Sequence, residues 1–311
     1  MQDYDSFIDG TTGKQLFIDT GTGEVFDGIA GIFPKGTIHY TPKQQERYKS
    51  RQESRAAKKW NITDAPFYFA KCTERIPLQP ETLTRLFFLM AFSSHKENGC
   101  KLLLNKLQQM QKSDLSKVLD ISRPTANKFY SEVSPDYITE TESGLVWTES
   151  GCFYRGAGLA MSKDAAYMKV FCDSIKKLYK GLQGKGHKYL GYIFQLLPYV
   201  NREHNILCWN PEEKEKCSIQ RMNLLDVCGL VGFDTKHIDR LFNIFASQKF
   251  DIDGCEEGYF RLLNQPNSND YRTADILINP HLFYAGTDFR QADYAYATGA
   301  RRKKLASIEH Q

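Results

Sequence analysis

The chain has 311 residues, 41% of them hydrophobic and 25% charged, which is enough apolar material for one to three packed domains and too much for a disordered chain. A formal net charge of +4 permits a nucleic-acid partner without demanding one. No apolar run is long enough to span a membrane and no signal peptide is evident, so a cytoplasmic protein with no membrane partner is expected.

The eight cysteines include no C-x-x-C pair, and no histidine stands at zinc-finger spacing from any two of them. Several lie within apolar runs and read as small buried hydrophobes, in a reducing compartment, with no metal and no cofactor expected.

In residues 1–40, Leu16-Phe17-Ile18 and Val25-Phe26 flank a Gly/Thr turn and predict a small β-hairpin. The Gly-Thr-Gly-Glu-Val segment within it has no lysine after the glycines and no following helix, so it reads as a turn and not a phosphate loop. Residues 41–65 read as a basic helix or linker, with Thr41 as cap and Pro42 in the first turn. Seven basic residues face two acids over 41–60, with no apolar stripe. Such a segment is either a solvated linker or an arm along a phosphate backbone, with Lys49, Arg51 and Arg55 as contacts.

Residues 66–158 predict a first domain. The aromatic segment Phe67-Tyr68-Phe69 precedes an apolar helix over 82–92, with Leu83, Leu86, Phe87 and Met90 on one face, and a short strand over 101–105. Ser113 is expected to cap a helix burying Leu115, Val118 and Leu119. A tight turn follows, and Ser122 caps a second helix with Pro124 in its first turn. Residues 137–140 and 145–148 form a ribbon turning at Ser143-Gly144. That order is a winged helix-turn-helix. Arg123, Thr125, Asn127 and Lys128, in the N-terminal half of the second helix, would contact double-stranded DNA in its major groove.

Residues 163–286 predict a second domain. A helix over 164–182 carries Met168, Phe171, Ile175, Leu178 and Leu182 at alternating spacings of three and four. The stripe reads first as core, with a homodimer through Met168 to Leu182 as the alternative. The earlier order then repeats: an apolar helix (188–197), a strand (206–209), helices over 218–228 and, capped by Asp234, over 235–246, then a ribbon of 258–263 with 275–278. Lys236, His237 and Arg240 are the corresponding DNA contacts. The two ribbons end in similar phrases, Trp147-Thr148-Glu149-Ser150-Gly151-Cys152-Phe153-Tyr154-Arg155-Gly156 and Ile278-Asn279-Pro280-His281-Leu282-Phe283-Tyr284-Ala285-Gly286. The expected fold is therefore α+β, mainly α, with two winged helix-turn-helix domains in tandem behind a small N-terminal β-hairpin. Residues 287–311, with Arg301-Arg302-Lys303-Lys304, lose periodicity and predict a disordered basic tail.

Thr22-Gly23-Glu24-Val25, the basic stretch, the winged helix and the closing phrase Asn279-Pro280-His281-Leu282-Phe283-Tyr284-Ala285-Gly286 together resemble the RepL-like replication proteins of Gram-positive plasmids and phages. The resemblance implies origin binding through winged-helix domains, without nicking or polymerase chemistry. The chain differs from that group in carrying two such domains.

No catalytic constellation is present: there is no Walker loop, G-x-S-x-G or H-E-x-x-H, and no paired histidines of the kind a relaxase needs. A non-enzymatic DNA-binding protein is the first reading, as a replication initiator or as a transcriptional regulator of phage or plasmid genes. Glu140, Glu142 and Glu149 make the first wing acidic, and Asp251, Asp253, Glu256 and Glu257 precede the second ribbon, which disfavours phosphate contact there. The alternative is a non-catalytic adaptor on degenerate winged helices, binding host replication or transcription proteins.

Overall fold

A computed structural model describes residues 4–8, 15–19, 25–27, 65–105, 107–148, 152–156, 166–182, 186–247, 249–252, 254–263, 274–286, 289–299, 301–302 and 305. The chain divides into two compact units, Met1–Thr63 and Asp64–Gln311. In the first, strands β1 (Tyr4–Ile8), β2 (Gln15–Asp19) and β3 (Val25–Asp27) form an antiparallel sheet in the order β1-β2-β3. The expected hairpin is β2–β3, with Phe17 opposite Phe26. The additional strand β1 pairs along the whole of β2, from Tyr4 opposite Asp19 to Ile8 opposite Gln15.

The larger unit begins with β4 (Phe67–Lys71) and α1 (Pro80–Met90). Leu102 bridges back to Ser93 and its neighbour Lys101 bridges Val146. Then come a helical turn, the short α2 (Leu115–Val118), α3 (Arg123–Val133), and the ribbon β5 (Ile138–Thr141) with β6 (Gly144–Trp147). The chain leaves through β7 (Phe153–Tyr154), which pairs with β4. Ser113 does not cap α2. The turn before it is closed by a reciprocal box in which Gln111 and Asp114 exchange side-chain and backbone hydrogen bonds, which satisfies two otherwise orphaned helix-end donors.

The second half follows the same plan. It starts with β8 (Tyr167–Phe171), α4 (Cys172–Gly181) and α5 (Gly186–Gln195). It continues through α6 (Leu224–Val231) and α7 (Ile238–Ser247), and ends on β13 (Phe283–Tyr284). The repeat extends to single hydrogen bonds. Met110 N donates to Leu102 O (2.8 Å) as Met222 N does to Leu207 O (2.9 Å). Trp147 N donates to Cys100 O (2.8 Å) as Ile278 N does to Asn205 O (2.9 Å). Cys100 and Asn205 both take the left-handed conformation, at φ 56° and 52°, which side chains other than glycine adopt infrequently. The box of Gln111 and Asp114 recurs as Asn223 and Asp226. One insertion interrupts the match: a hairpin of β9 (Lys249–Ile252) and β10 (Cys255–Gly258) precedes the second ribbon, β11 (Phe260–Leu263) with β12 (Asp275–Ile278).

The halves share a four-stranded sheet ordered β13-β8-β4-β7. At its centre, Phe69 opposes Lys169, Phe67 opposes Phe171 and Lys71 opposes Tyr167. This register is symmetric about the Phe69–Lys169 pair. Burial depresses the Lys169 ammonium below its ordinary pKa. Beneath the sheet, Phe87 of α1 and Phe194 of α5 stack at 4.1 Å. Each also meets the exit strand of its own half, Phe87 against Phe153 at 5.2 Å and Phe194 against Phe283 at 5.8 Å. One hydrophobic core therefore runs through both halves.

Three further expectations are corrected. First, the fold is α+β but roughly mixed, not mainly α, with eight α-helices and small antiparallel sheets among the described residues. Second, residues 164–182 are not one helix. Met168 and Phe171 lie in β8, where backbone partners on both sides outweigh helical periodicity. Ile175 and Leu178 of α4 are buried in the core, so the Met168–Leu182 stripe offers no dimer surface. Third, residues 287–311 are not wholly a disordered tail: α8 (Phe289–Tyr296) packs on the second ribbon, and Arg301 is 2% exposed.

Arg301 is held by two carboxylates. Its guanidinium reaches Glu257 Oε2 and Asp293 Oδ2, each at 2.6 Å, and lies 2.8 Å from His281 Nε2. Burial alone would raise the Asp293 pKa, but the His281 hydrogen bond and the His281 and Arg301 charges bring it below its ordinary 3.8. A depressed carboxyl contributes stability that is complete above the unfolded pKa and lost as pH falls through the folded one. Unfolding free energies of the protein and of Asp293→Asn, measured in urea from pH 6 to pH 3, should therefore converge at the acid end. A constant difference would show that ionisation of Asp293 is not what the site uses.

Candidate nucleic-acid interface

Helix α3 is set by its first turn. Ser122 is extended and its hydroxyl accepts from Thr125 N at 3.4 Å. The two hydroxyls lie 2.8 Å apart, so Thr125 is part of the cap more than a free contact. Pro124 supplies a helical φ where no N–H is needed. Ala126, Phe129 and Val133 face the core. Arg123 and Asn127, four residues apart, are exposed on one side. Lys128 is exposed one position on, with its ammonium 3.9 Å from Glu132.

Lys112 joins this surface, and sequence reading did not single it out. Its ammonium sits 4.2 Å above the Tyr130 ring of α3, a cation–π contact. Helical spacing places Tyr130 on the side of α3 between Asn127 and the core, so only the turn preceding α2 determines that Lys112 meets it. The ribbon is short: Glu140 and Glu142 are exposed toward its tip, while Leu145 and Trp147 are buried. Glu149 lies outside the described residues, as do Lys49, Arg51 and Arg55.

The second half presents a different face. Lys236 and His237 are exposed but belong to the helical turn before α7, whose cap Asp234 accepts from Lys236 N at 2.9 Å. The Arg240 guanidinium lies over the Tyr189 ring of α5 at 5.5 Å and is drawn back along the protein surface. Counted from the two caps, Asp239 stands where α3 has Asn127, and Thr235 where it has Arg123. An aspartate cannot donate to a base or approach a phosphate without repulsion.

The outer face of the second ribbon is covered. Ile206, Cys208, Ile219 and Leu277 pack with Tyr296 of α8, and Arg261 donates to Tyr296 O at 2.9 Å. The signal for α8 was in the sequence: Phe289, Ala292, Asp293, Tyr296 and Ala297 follow helical spacing. Asp293 sits within that stripe and masks it, because its partner Arg301 is two turns away. One exposed surface thus collects Arg123, Asn127, Lys128 and Lys112 on the first half, and Lys236, His237 and Arg240 are not gathered in the same way.

Among the described residues no three His, Cys, Asp or Glu side chains converge as a metal site, and no helix is long and apolar enough to cross a membrane. No family model, no curated protein and no solved structure matches the chain.

Proposed function

We propose that residues 66–286 are two winged helix-turn-helix domains in tandem, and that the first reads double-stranded DNA through α3. The observation that carries this reading is α3 itself: a capped helix after a tight turn, backed by a ribbon, with Arg123 and Asn127 exposed on one side. Arginine pairs with guanine O6 and N7, and asparagine with adenine N6 and N7. The function that best fits is sequence-specific binding by a cytoplasmic, non-catalytic replication initiator of the RepL-like kind. Transcriptional regulation would use the same contacts.

A second reading applies to the second half. Asp234 and Asp239 at the start of α7, and the cover of α8 over the ribbon, favour contact with a protein of the host replication or transcription machinery over contact with a duplex.

The test is selection of a preferred duplex from a random pool, followed by binding against salt. Arg123→Ala should weaken the selected site by about 1–3 kcal/mol and relax one base position, leaving random duplex nearly unaffected. A flat, weak response of the unaltered protein to salt would sink the DNA reading. Equal losses on selected and random duplexes would make Arg123 a phosphate contact.

A further inference from the structure

The second ribbon has two faces, and alternate residues serve them. Leu207, Ile276 and Ile278 point into the core shared with α6 and α7. Ile206, Leu263 and Leu277 point the other way, toward α8. A cleft of about 310 Å³ remains on that outer face, because α8 meets the ribbon there with the small side chains of Ala292 and Ala295. Its volume is at the lower end of small-molecule sites.

The polar lining is cationic: Lys216, Arg221, Arg261 and Arg302, with His204 beside them. Among the described residues no carboxylate lines the cleft. Buried Asp275, outside the lining, is joined to Arg221 at 2.6 Å. Arg221 is fixed by that pair, and Arg261 by the carbonyls that end α8. Arg302 is carried on the turn that buried Arg301 anchors to Glu257 and Asp293, and its guanidinium lies 4.9 Å from the Tyr294 ring. Arg221, Arg261 and Arg302 are held in place around a concave apolar wall, so little ordering cost remains when an anion arrives, and exposed Lys216 adds a fourth positive charge.

We propose that this cleft binds a small phosphate-bearing ligand of mononucleotide size. Its flat apolar part would lie against Ile206, Leu263 and Leu277, and its phosphate would be taken by Lys216, Arg221 and Arg302. The site is independent of the DNA reading, because it opens on the face of the ribbon opposite α7. Arginine and lysine together suit phosphate: the guanidinium donates two parallel hydrogen bonds and the ammonium acts as a point charge.

The test uses the full chain and calorimetric titration with AMP, adenosine, inorganic phosphate and a random duplex. The double variant Lys216→Glu/Arg302→Glu changes two exposed side chains and should melt at the unaltered temperature. AMP should bind saturably, inorganic phosphate should compete with it, and adenosine should bind far more weakly. The double variant should lose at least about tenfold in AMP affinity, since each charge-assisted hydrogen bond removed counts among the strong ones. Absence of saturable AMP binding, equal affinity for adenosine, or an unchanged affinity in the double variant would each overturn the proposal. So would displacement of AMP by duplex together with parallel loss of duplex binding in the variant, which would assign the phosphate to DNA.

Discussion

Arg301→Ala is expected to destabilise the larger unit by about 3–5 kcal/mol, the range for removing one member of a buried charge cluster. The guanidinium is 2% exposed, and so is the Asp293 side chain. Removing it leaves Asp293 with His281 and Glu257 with the Thr298 N–H as their remaining partners among the described residues, in one low-dielectric site. Urea unfolding followed by tyrosine and tryptophan fluorescence reads the change. The triple variant Arg301→Met/Asp293→Asn/Glu257→Gln should recover much of the loss, because neutral groups of similar volume avoid the desolvation cost. A loss below about 1 kcal/mol in the single variant would place Arg301 among solvated surface pairs. The same experiment tests whether the C-terminal segment is a structural part of the second half, since α8 and the β10 strand are joined through this residue.

Gly191→Ala should also cost about 3 kcal/mol, against the usual direction for a helical glycine. In an open helix, alanine is favoured over glycine by roughly 1 kcal/mol. Here a Cβ on residue 191 would stand 2.0 Å from the carbonyl oxygen of Pro80 and 2.3 Å from its carbonyl carbon. Both are backbone atoms at the start of α1, so no side-chain rotation relieves the overlap. The helices would have to separate, and the Phe87–Phe194 stack at 4.1 Å would open with them. Urea unfolding gives the free energy, and near-ultraviolet circular dichroism reports the aromatic packing. A stabilised variant with unchanged aromatic signal would mean that the crossing relaxes at little cost.

Local chemistry made the first half legible. The Ser122 cap with Pro124 placed the start of α3, and the Ser143-Gly144 turn placed the β5–β6 ribbon. The matching exits Phe153-Tyr154 and Phe283-Tyr284 became equivalent strands at opposite edges of one sheet. These features depend on a few consecutive residues. The errors share another cause. Met168 and Phe171 fit a helical stripe as well as a strand, and only β4 and β13 on either side decide between them. The engagements of Thr125 with the Ser122 cap and of Arg240 with the Tyr189 ring were equally beyond local pattern.

By itself the sequence determined the order of elements from β4 to β6, the repeat and the exposed start of α3, because caps, turns and apolar spacing act over less than one helix length. Tertiary structure decided how the repeats are joined: a shared sheet centred on Phe69 and Lys169, and a helix crossing closed to backbone contact at Gly191. It also decided that Arg301 is buried and that Lys112 meets α3. Burial and charge pairing depend on partners distant in the chain; Arg301 and Glu257 are 44 residues apart. No local pattern encodes that distance, so a run of four basic residues reads as a solvated tail until the fold supplies the carboxylates.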